Sequence, residues 1–124
     1  MILTAIADLW GPIKTGIEDG LGLSSDAMHI HMGVALLLLF AWVTRRPLHD
    51  WRPWLMLLVV EVANEIIDMN QRAGSLERNW AASRHDLINT MFLPTLLVLY
   101  YGFRHWRSLR RPDVIDTPAE TPAE

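Results

Sequence analysis

Glu61-Val-Ala-Asn64-Glu65-Ile-Ile-Asp68 decides the fold, because it continues without a break from the apolar run Trp54-Leu-Met-Leu-Leu-Val-Val60. Glu61, Asn64, Glu65 and Asp68 stand at i, i+3, i+4 and i+7, a spacing that lines side chains along one stripe of a helix. An ionised carboxylate at the centre of a bilayer costs roughly 2.5–3.5 kcal/mol on insertion scales, so such groups turn inward and find partners. An apolar segment with one acidic stripe therefore predicts a helical membrane assembly with a polar interior.

Two further apolar blocks lie on either side of it, residues 32–43 and 87–103, while the central block covers 53–67. Each approaches the lower limit for crossing a hydrocarbon layer about 30 Å thick. The chain is 51% apolar yet 20% charged, and this block-wise segregation accounts for both figures. The fold expected is an all-α integral membrane protein of about three transmembrane helices, preceded by an N-terminal amphipathic interfacial helix. A soluble helical bundle is the alternative, since short apolar runs also serve as buried core helices. Trp42, Trp51, Trp54, Tyr100, Tyr101 and Trp106 sit near block ends, as in an interfacial aromatic belt, which favours the membrane reading.

Arginines set the orientation. Arg45, Arg46 and Arg52 separate the first two blocks, and Arg104, Arg107, Arg110 and Arg111 follow the third. Three spans put those segments on one side, which the positive-inside rule makes cytoplasmic. The expected location is a bacterial cytoplasmic (inner) membrane, with the N-terminus outside and the C-terminus in the cytoplasm. Ile2, Ile6, Leu9, Trp10, Ile13 and Ile17 recur at helical spacing, with Asp8 and Lys14 off that face. Residues 1–22 thus form a helix on the outer surface, or one packed across the spans as a lid. Gly20, Gly22 and Ser24-Ser25-Asp26 end it, with Ser25 or Asp26 available to cap the next helix. The membrane domain covers 26–106. Residues 112–124, rich in Pro and acids and ending in a repeated Thr-Pro-Ala-Glu, read as a disordered cytoplasmic tail. The chain has no cysteine, which removes disulfides and thiolate metal sites. Its Arg-rich end is a membrane anchor, so no nucleic-acid partner is expected.

This topology brings three polar sets to one depth in the outer half of the membrane. The first span begins with His29 and His31, the second ends with Glu61 to Asp68, and the third begins with Ser83-Arg84-His85-Asp86 followed by Asn89 and Thr90. Acids need cations, and Arg72, Arg78, Arg84 and the histidines are at hand. A pocket is the natural result, with the polar loop over 69–80 as a partial lid. His29 and His31 point to different sides of a helix, so no metal ligation by the pair is assigned, and no cofactor motif is present. Asn89 and Thr90 can instead bond across helices. Pro94 can kink the third span, and Arg84 with Asp86 can form a weak interfacial pair.

The order of these residues resembles the VanZ-like family of small bacterial membrane proteins. Asp26, His29 and Gly33 match an Asp and a His before a glycine-containing helix, and Glu61 with Asn64 matches a Glu followed at i+3 by an amide, usually Gln. Arg78, or alternatively Arg72, matches an Arg in the next loop, and Asp86-Leu-Ile-Asn89 matches Asp-x-x-Asn. The resemblance covers roughly residues 26–104. Asn64 stands where Gln is usual, the glycine common behind the Asn is missing, and Glu65 and Asp68 are additional. The family is associated with glycopeptide resistance and, by implication, with envelope lipids or their precursors.

These features read first as a binding protein. An outward-facing pocket of His29, Glu61, Asn64, Glu65, Asp68, Arg78, Arg84, Asp86 and Asn89 would take a lipid headgroup or another polar small molecule. The carboxylates would attract a cationic or hydroxyl-rich group, the arginines would hold phosphate or carboxylate, and the amides would orient it. A second reading is a small subunit of a larger membrane complex or homo-oligomer, its polar face paired with a partner's charges. A third is a lipid-modifying enzyme using the carboxylates with His29 or His85 as acid and base. Against the third, no nucleophile elbow, phosphate-cradling loop or His-x-x-x-His pair is present.

Overall fold

The computed structural model describes residues 2–70 and 80–110, and within them the regular structure is all helix. Four helices follow in order: α1 (Ile2–Leu21), α2 (Ser25–Thr44), α3 (Trp51–Met69) and α4 (Trp80–Leu109). Arg72, Arg78, most of the loop expected over 69–80 and the tail 112–124 lie outside the described residues.

Local chemistry sets each boundary. Gly22 takes φ +64, and the backbone N–H groups of Gly22 and Leu23 close back onto Asp19 and Glu18, ending α1 in a left-handed cap. Ser24, rather than Ser25 or Asp26, caps α2, its hydroxyl accepting from the Ala27 N–H at 3.3 Å. Asp26 falls instead in the first turn, where its charge suits the helix dipole. The α2 terminus is unusual in placing Arg45, not glycine, at φ 52. Asp50 caps α3 by accepting from the Arg52 N–H at 3.0 Å, and Pro53 sits in the first turn, where a missing N–H costs nothing. The α4 helix extends well beyond the apolar block 87–103 at both ends, because polar residues such as Ser83, Arg84 and Arg107 are compatible with helix. Apolarity marks what the helix buries or exposes, not where it stops.

Three helices share one narrow core. Along α2 the buried residues are His29, Gly33, Leu37 and Ala41, and along α3 they are Pro53, Leu57, Glu61, Glu65 and Asp68. On α4 they are Thr90, Met91 and Pro94. Leu37, Leu57 and Met91 form the apolar half of this core, with Leu36, Phe40, Trp54, Leu58 and Leu87 packed around it. The polar half continues on the same stripes. The acidic face of α3 is therefore the extension of its apolar core face.

The α2–α4 contact depends on two residues. Pro94 has no N–H, so the Thr90 carbonyl four residues earlier loses its usual helical donor. That carbonyl points at Gly33, where an added Cβ would overlap the Thr90 oxygen and come within 3.0 Å of the carbonyl carbon. Only glycine permits this approach, which gives the carbonyl a Cα–H contact. One turn on, Thr95 donates to the Met91 carbonyl at 2.7 Å and accepts from Trp54 Nε1 at 2.9 Å, which ties α3 to the same region.

Helices α2 and α4 are long and apolar enough to cross a membrane, and only 22% and 17% of their apolar windows are buried inside the protein. Their outward faces carry Trp42, Val43, Phe92, Leu96 and Leu99, all exposed. Helix α1 follows the same inverted pattern. Its less exposed stripe is Ala7, Gly11, Lys14 and Glu18, whereas Ile2, Ile6, Leu9, Ile13 and Ile17 face outward. Of its two expected placements, on the surface or across the other helices, the structure has it packed against α3.

Replacing Gly33 by Ala should drive α2 and α4 apart at Thr90. Thermal or denaturant unfolding of the detergent-extracted protein should show a loss of roughly 1–3 kcal/mol, the usual range for overpacking a close contact.

Candidate functional site

Above the Leu37–Leu57–Met91 layer, α2, α3 and α4 each contribute one polar side chain to a buried cluster. The Thr90 hydroxyl donates to Glu61 Oε1 at 2.6 Å. His29 Nδ1 lies 3.0 Å from Thr90 Oγ1 and 3.3 Å from Glu61 Oε1. The single threonine proton is used on Glu61, so in this arrangement Nδ1–H donates to Thr90 Oγ1. On the other side of the ring, Nε2 faces Asp86 Oδ2 at 3.7 Å. The imidazole is thus held between two carboxylates from different helices.

One turn further along α3, Glu65 is buried beside this cluster. Its Oε1 is fully covered and accepts no hydrogen bond, a condition shared among the described residues only by Glu18 Oε1 on α1. Ligand atoms of His29, Glu61 and Glu65 all lie within 4.8 Å of one another. An unpaired buried polar group typically costs about 1–3 kcal/mol, and more if charged, so Glu65 is the least satisfied part of the core.

Two seams flank the cluster. Between α1 and α3, Trp10 Nε1 donates to Asn64 Oδ1 at 2.9 Å, and Lys14 Nζ donates to Asp68 Oδ2 at 2.7 Å. Trp10 with Lys14 and Asn64 with Asp68 are both i, i+4 pairs, so successive turns of the two helices meet in register. The Lys14–Asp68 pair is largely buried, with side chains 12% and 4% exposed. Asn64 also donates to Asp68 at 3.4 Å. Between α2 and α4, Asn89 Nδ2 donates to Asp26 Oδ1 at 3.1 Å, and His85 Nδ1 lies 3.3 Å from the same oxygen. This second seam is exposed.

The residues expected to form one pocket therefore separate. His29, Glu61, Glu65 and Asp86 converge. Asn64 and Asp68 belong to the α1 seam, and Asn89 to the Asp26–His85 seam. Arg84 is exposed and makes no ion pair with a described residue. Arg78 lies outside the described residues. His31 turns away to bond the Ala27 carbonyl at 2.6 Å. Lys14, Trp10 and Thr90 were not among the expected site residues. The first two had a signal, since their spacing repeats that of Asn64 and Asp68, but Trp10 also fits the apolar stripe.

A cleft lined by Leu38, Ala41, Trp42, Arg45, Arg46 and Leu48 lies at the other end of α2. Its lining has no buried polar side chain, in contrast to the cluster. No family model, curated protein or solved structure shows significant similarity to the chain.

The α1 seam yields a test. Lys14→Met takes one ammonium from a buried carboxylate that keeps other partners, so the loss should reach at most the roughly 3–5 kcal/mol of a fully broken buried pair. Unfolding measurements should show a loss within that limit for Lys14→Met. Adding Asp68→Asn should recover a large part of it in a double-mutant cycle.

Proposed function

We propose that this chain is a bacterial inner-membrane protein with three spans, α2, α3 and α4, whose outward-facing interior site binds the polar part of a lipid or another polar small molecule. The observation that carries this reading is the buried His29–Glu61–Glu65 cluster, with half-buried Asp86 facing His29 and an unpaired Glu65 oxygen. Polar groups brought together at such expense inside an otherwise apolar bundle serve binding or chemistry as a rule. Three carboxylates around one imidazole favour an amine- or hydroxyl-bearing ligand over a free anion.

Membrane placement is supported by the exposed apolar faces of α1, α2 and α4, which far exceed what a soluble monomer leaves uncovered. Orientation follows from the arginines at the opposite end. There Arg104, Arg107 and Arg110 each lie over an aromatic ring four residues earlier, Tyr100, Phe103 and Trp106. Such a ladder suits the headgroup zone of a cytoplasmic leaflet. Helix α1, held to α3 by Trp10 and Lys14, covers one side of the site with its own apolar face toward lipid. Asp26, His29, Gly33, Glu61, Asn64, Asp86 and Asn89 carry the VanZ-like resemblance, together with Arg78 or Arg72, both outside the described residues. Asp26, His29, Glu61, Asp86 and Asn89 lie in the cluster or its α2–α4 seam, Gly33 lies against Thr90, and Asn64 belongs to the α1 seam. That grouping favours a role in handling envelope lipids or their precursors. The burial of Glu65 beneath its neighbours disfavours the accessory-subunit reading, which needs that stripe open to a partner.

Two measurements test these proposals. The chain has no cysteine, so single Asp19→Cys and Ser108→Cys variants can be labelled in cells with a membrane-impermeant maleimide. Asp19→Cys should react in intact cells and Ser108→Cys only after permeabilisation; labelling of both from one side would exclude three spans. In native mass spectrometry from mild detergent, a lipid or polar small molecule retained by the natural chain should be lost from Glu61→Gln while insertion survives. Unchanged retention would place the ligand elsewhere.

A further inference from the structure

We propose that His29, Glu61 and Glu65 form a binding site for a divalent transition-metal ion of the Zn²⁺ type, with Asp86 as the residue that positions the imidazole. This deepens the proposed function by naming what occupies its site, and it rests on that cluster being a binding site.

Three observations carry it. First, one ligand atom from each of the three residues lies within 4.8 Å of the others, and all three residues are buried. Second, Glu65 is 92% buried, with an oxygen that has no hydrogen bond, beside a carboxylate and an imidazole that are otherwise satisfied. Ser83 hydrogen-bonds the Glu65 carboxylate, so the buried oxygen left without a donor, Oε1, is the one open to a cation. Third, His29 Nδ1 and Glu61 Oε1 are 3.3 Å apart. That is long for a charge-assisted hydrogen bond. It equals the donor–donor edge of about 3.3 Å in a tetrahedron with metal–ligand bonds near 2.0–2.1 Å.

Metal binding uses the other imidazole tautomer. Nε2 faces Asp86 Oδ2 at 3.7 Å, so a proton moved from Nδ1 to Nε2 lies toward that carboxylate and leaves the Nδ1 lone pair toward Glu61 and Glu65. A carboxylate behind a ligating histidine fixes its tautomer and orientation in this manner. The metal replaces the Nδ1 proton, and Thr90 remains a hydrogen-bond donor to Glu61. One nitrogen and two carboxylate donors suit Zn²⁺ or Mn²⁺ better than Ca²⁺, which takes oxygen alone. Two carboxylates neutralise the ion, and three protein ligands leave a coordination position for water or a ligand oxygen. Lys14 donates to Asp68 on the adjacent seam and its charge also acts on His29 and Asp86, while the group in contact with both Glu61 and Asp86 is His29.

The test is equilibrium dialysis of the detergent-extracted, metal-stripped chain against Zn²⁺, read by elemental mass spectrometry. About one ion per chain is expected, bound at least tenfold more weakly by Glu65→Gln and roughly 10–100-fold more weakly by Asp86→Asn. Asp19→Asn, at the exposed end of α1, should leave affinity unchanged. Absence of stoichiometric binding, full binding by a monodisperse Glu65→Gln, equal loss in Asp19→Asn, or loss in Asp26→Asn without loss in Glu65→Gln would overturn the proposal. If Glu65→Gln does not give a folded protein, the visible spectrum of the Co²⁺-loaded natural chain decides. Four-coordinate imidazole–carboxylate ligation supports the site, and a spectrum like that of aqueous Co²⁺ overturns it. Lipid retention is read separately by native mass spectrometry. Metal bound without lipid or small molecule defeats the headgroup reading alone, and ligand retained without metal defeats this one alone.

Discussion

Glu61 and Glu65 occupy the stripe of α3 that also carries Leu57, and this shared stripe constrains the rest of the molecule. Whatever buries the leucine must bury the acids as well. A buried carboxylate needs donors or a counter-charge, because leaving it unpaired costs more than a typical core contact returns. Thr90 and His29 meet that need for Glu61, and both are delivered by the helices that also bring Met91 and Leu37 to Leu57. Apolar and polar halves of the core are thus one packing problem. A register shift of α2 or α4 that preserved the leucine layer would still strand the glutamates.

The Gly33–Thr90–Pro94 arrangement makes that register possible. Pro94 frees the Thr90 carbonyl, Gly33 lets α2 come against it, and the same threonine's hydroxyl then reaches Glu61. Backbone and side chain of Thr90 therefore serve two different helices. A proline inside a helix usually weakens it by about 3 kcal/mol, an effect concentrated here where α2 and α3 both gain contacts from the distortion.

Exposed apolar surface and buried polar surface are two sides of the same inversion. In α1 the large aliphatic side chains face outward, while Trp10 and Lys14 hold Asn64 and Asp68. In water such a helix would turn the other way. Within a bilayer the preference reverses, since lipid is as good a neighbour for isoleucine as protein is, and polar groups gain most from one another. The pattern on α1, α2 and α4 thus supports one solvent for all three.

The helical character of the chain, the approximate places of its apolar blocks and the importance of the Glu61–Asp68 stripe were legible in the sequence. They depend on local periodicity, which a single chain displays directly. Placing the polar groups of the three blocks at one end was also legible, because alternating helix direction follows from the order of the blocks. Partner choice was legible only in part. The sequence offered arginines and histidines for the acids, and His29 does meet Glu61, but Lys14 beside Asp68 and Thr90 beside Glu61 were not foreseen, because pairing is set by helix rotation and crossing, to which spacing along one chain is blind. Gly33 and Pro94 could be seen as residues, but their joint role appears only when α2 and α4 are brought together. The sequence determined which faces had to be buried. The tertiary structure decided which buried group meets which, since three stripes can be docked in many registers and only side-chain shape and hydrogen-bond satisfaction select one.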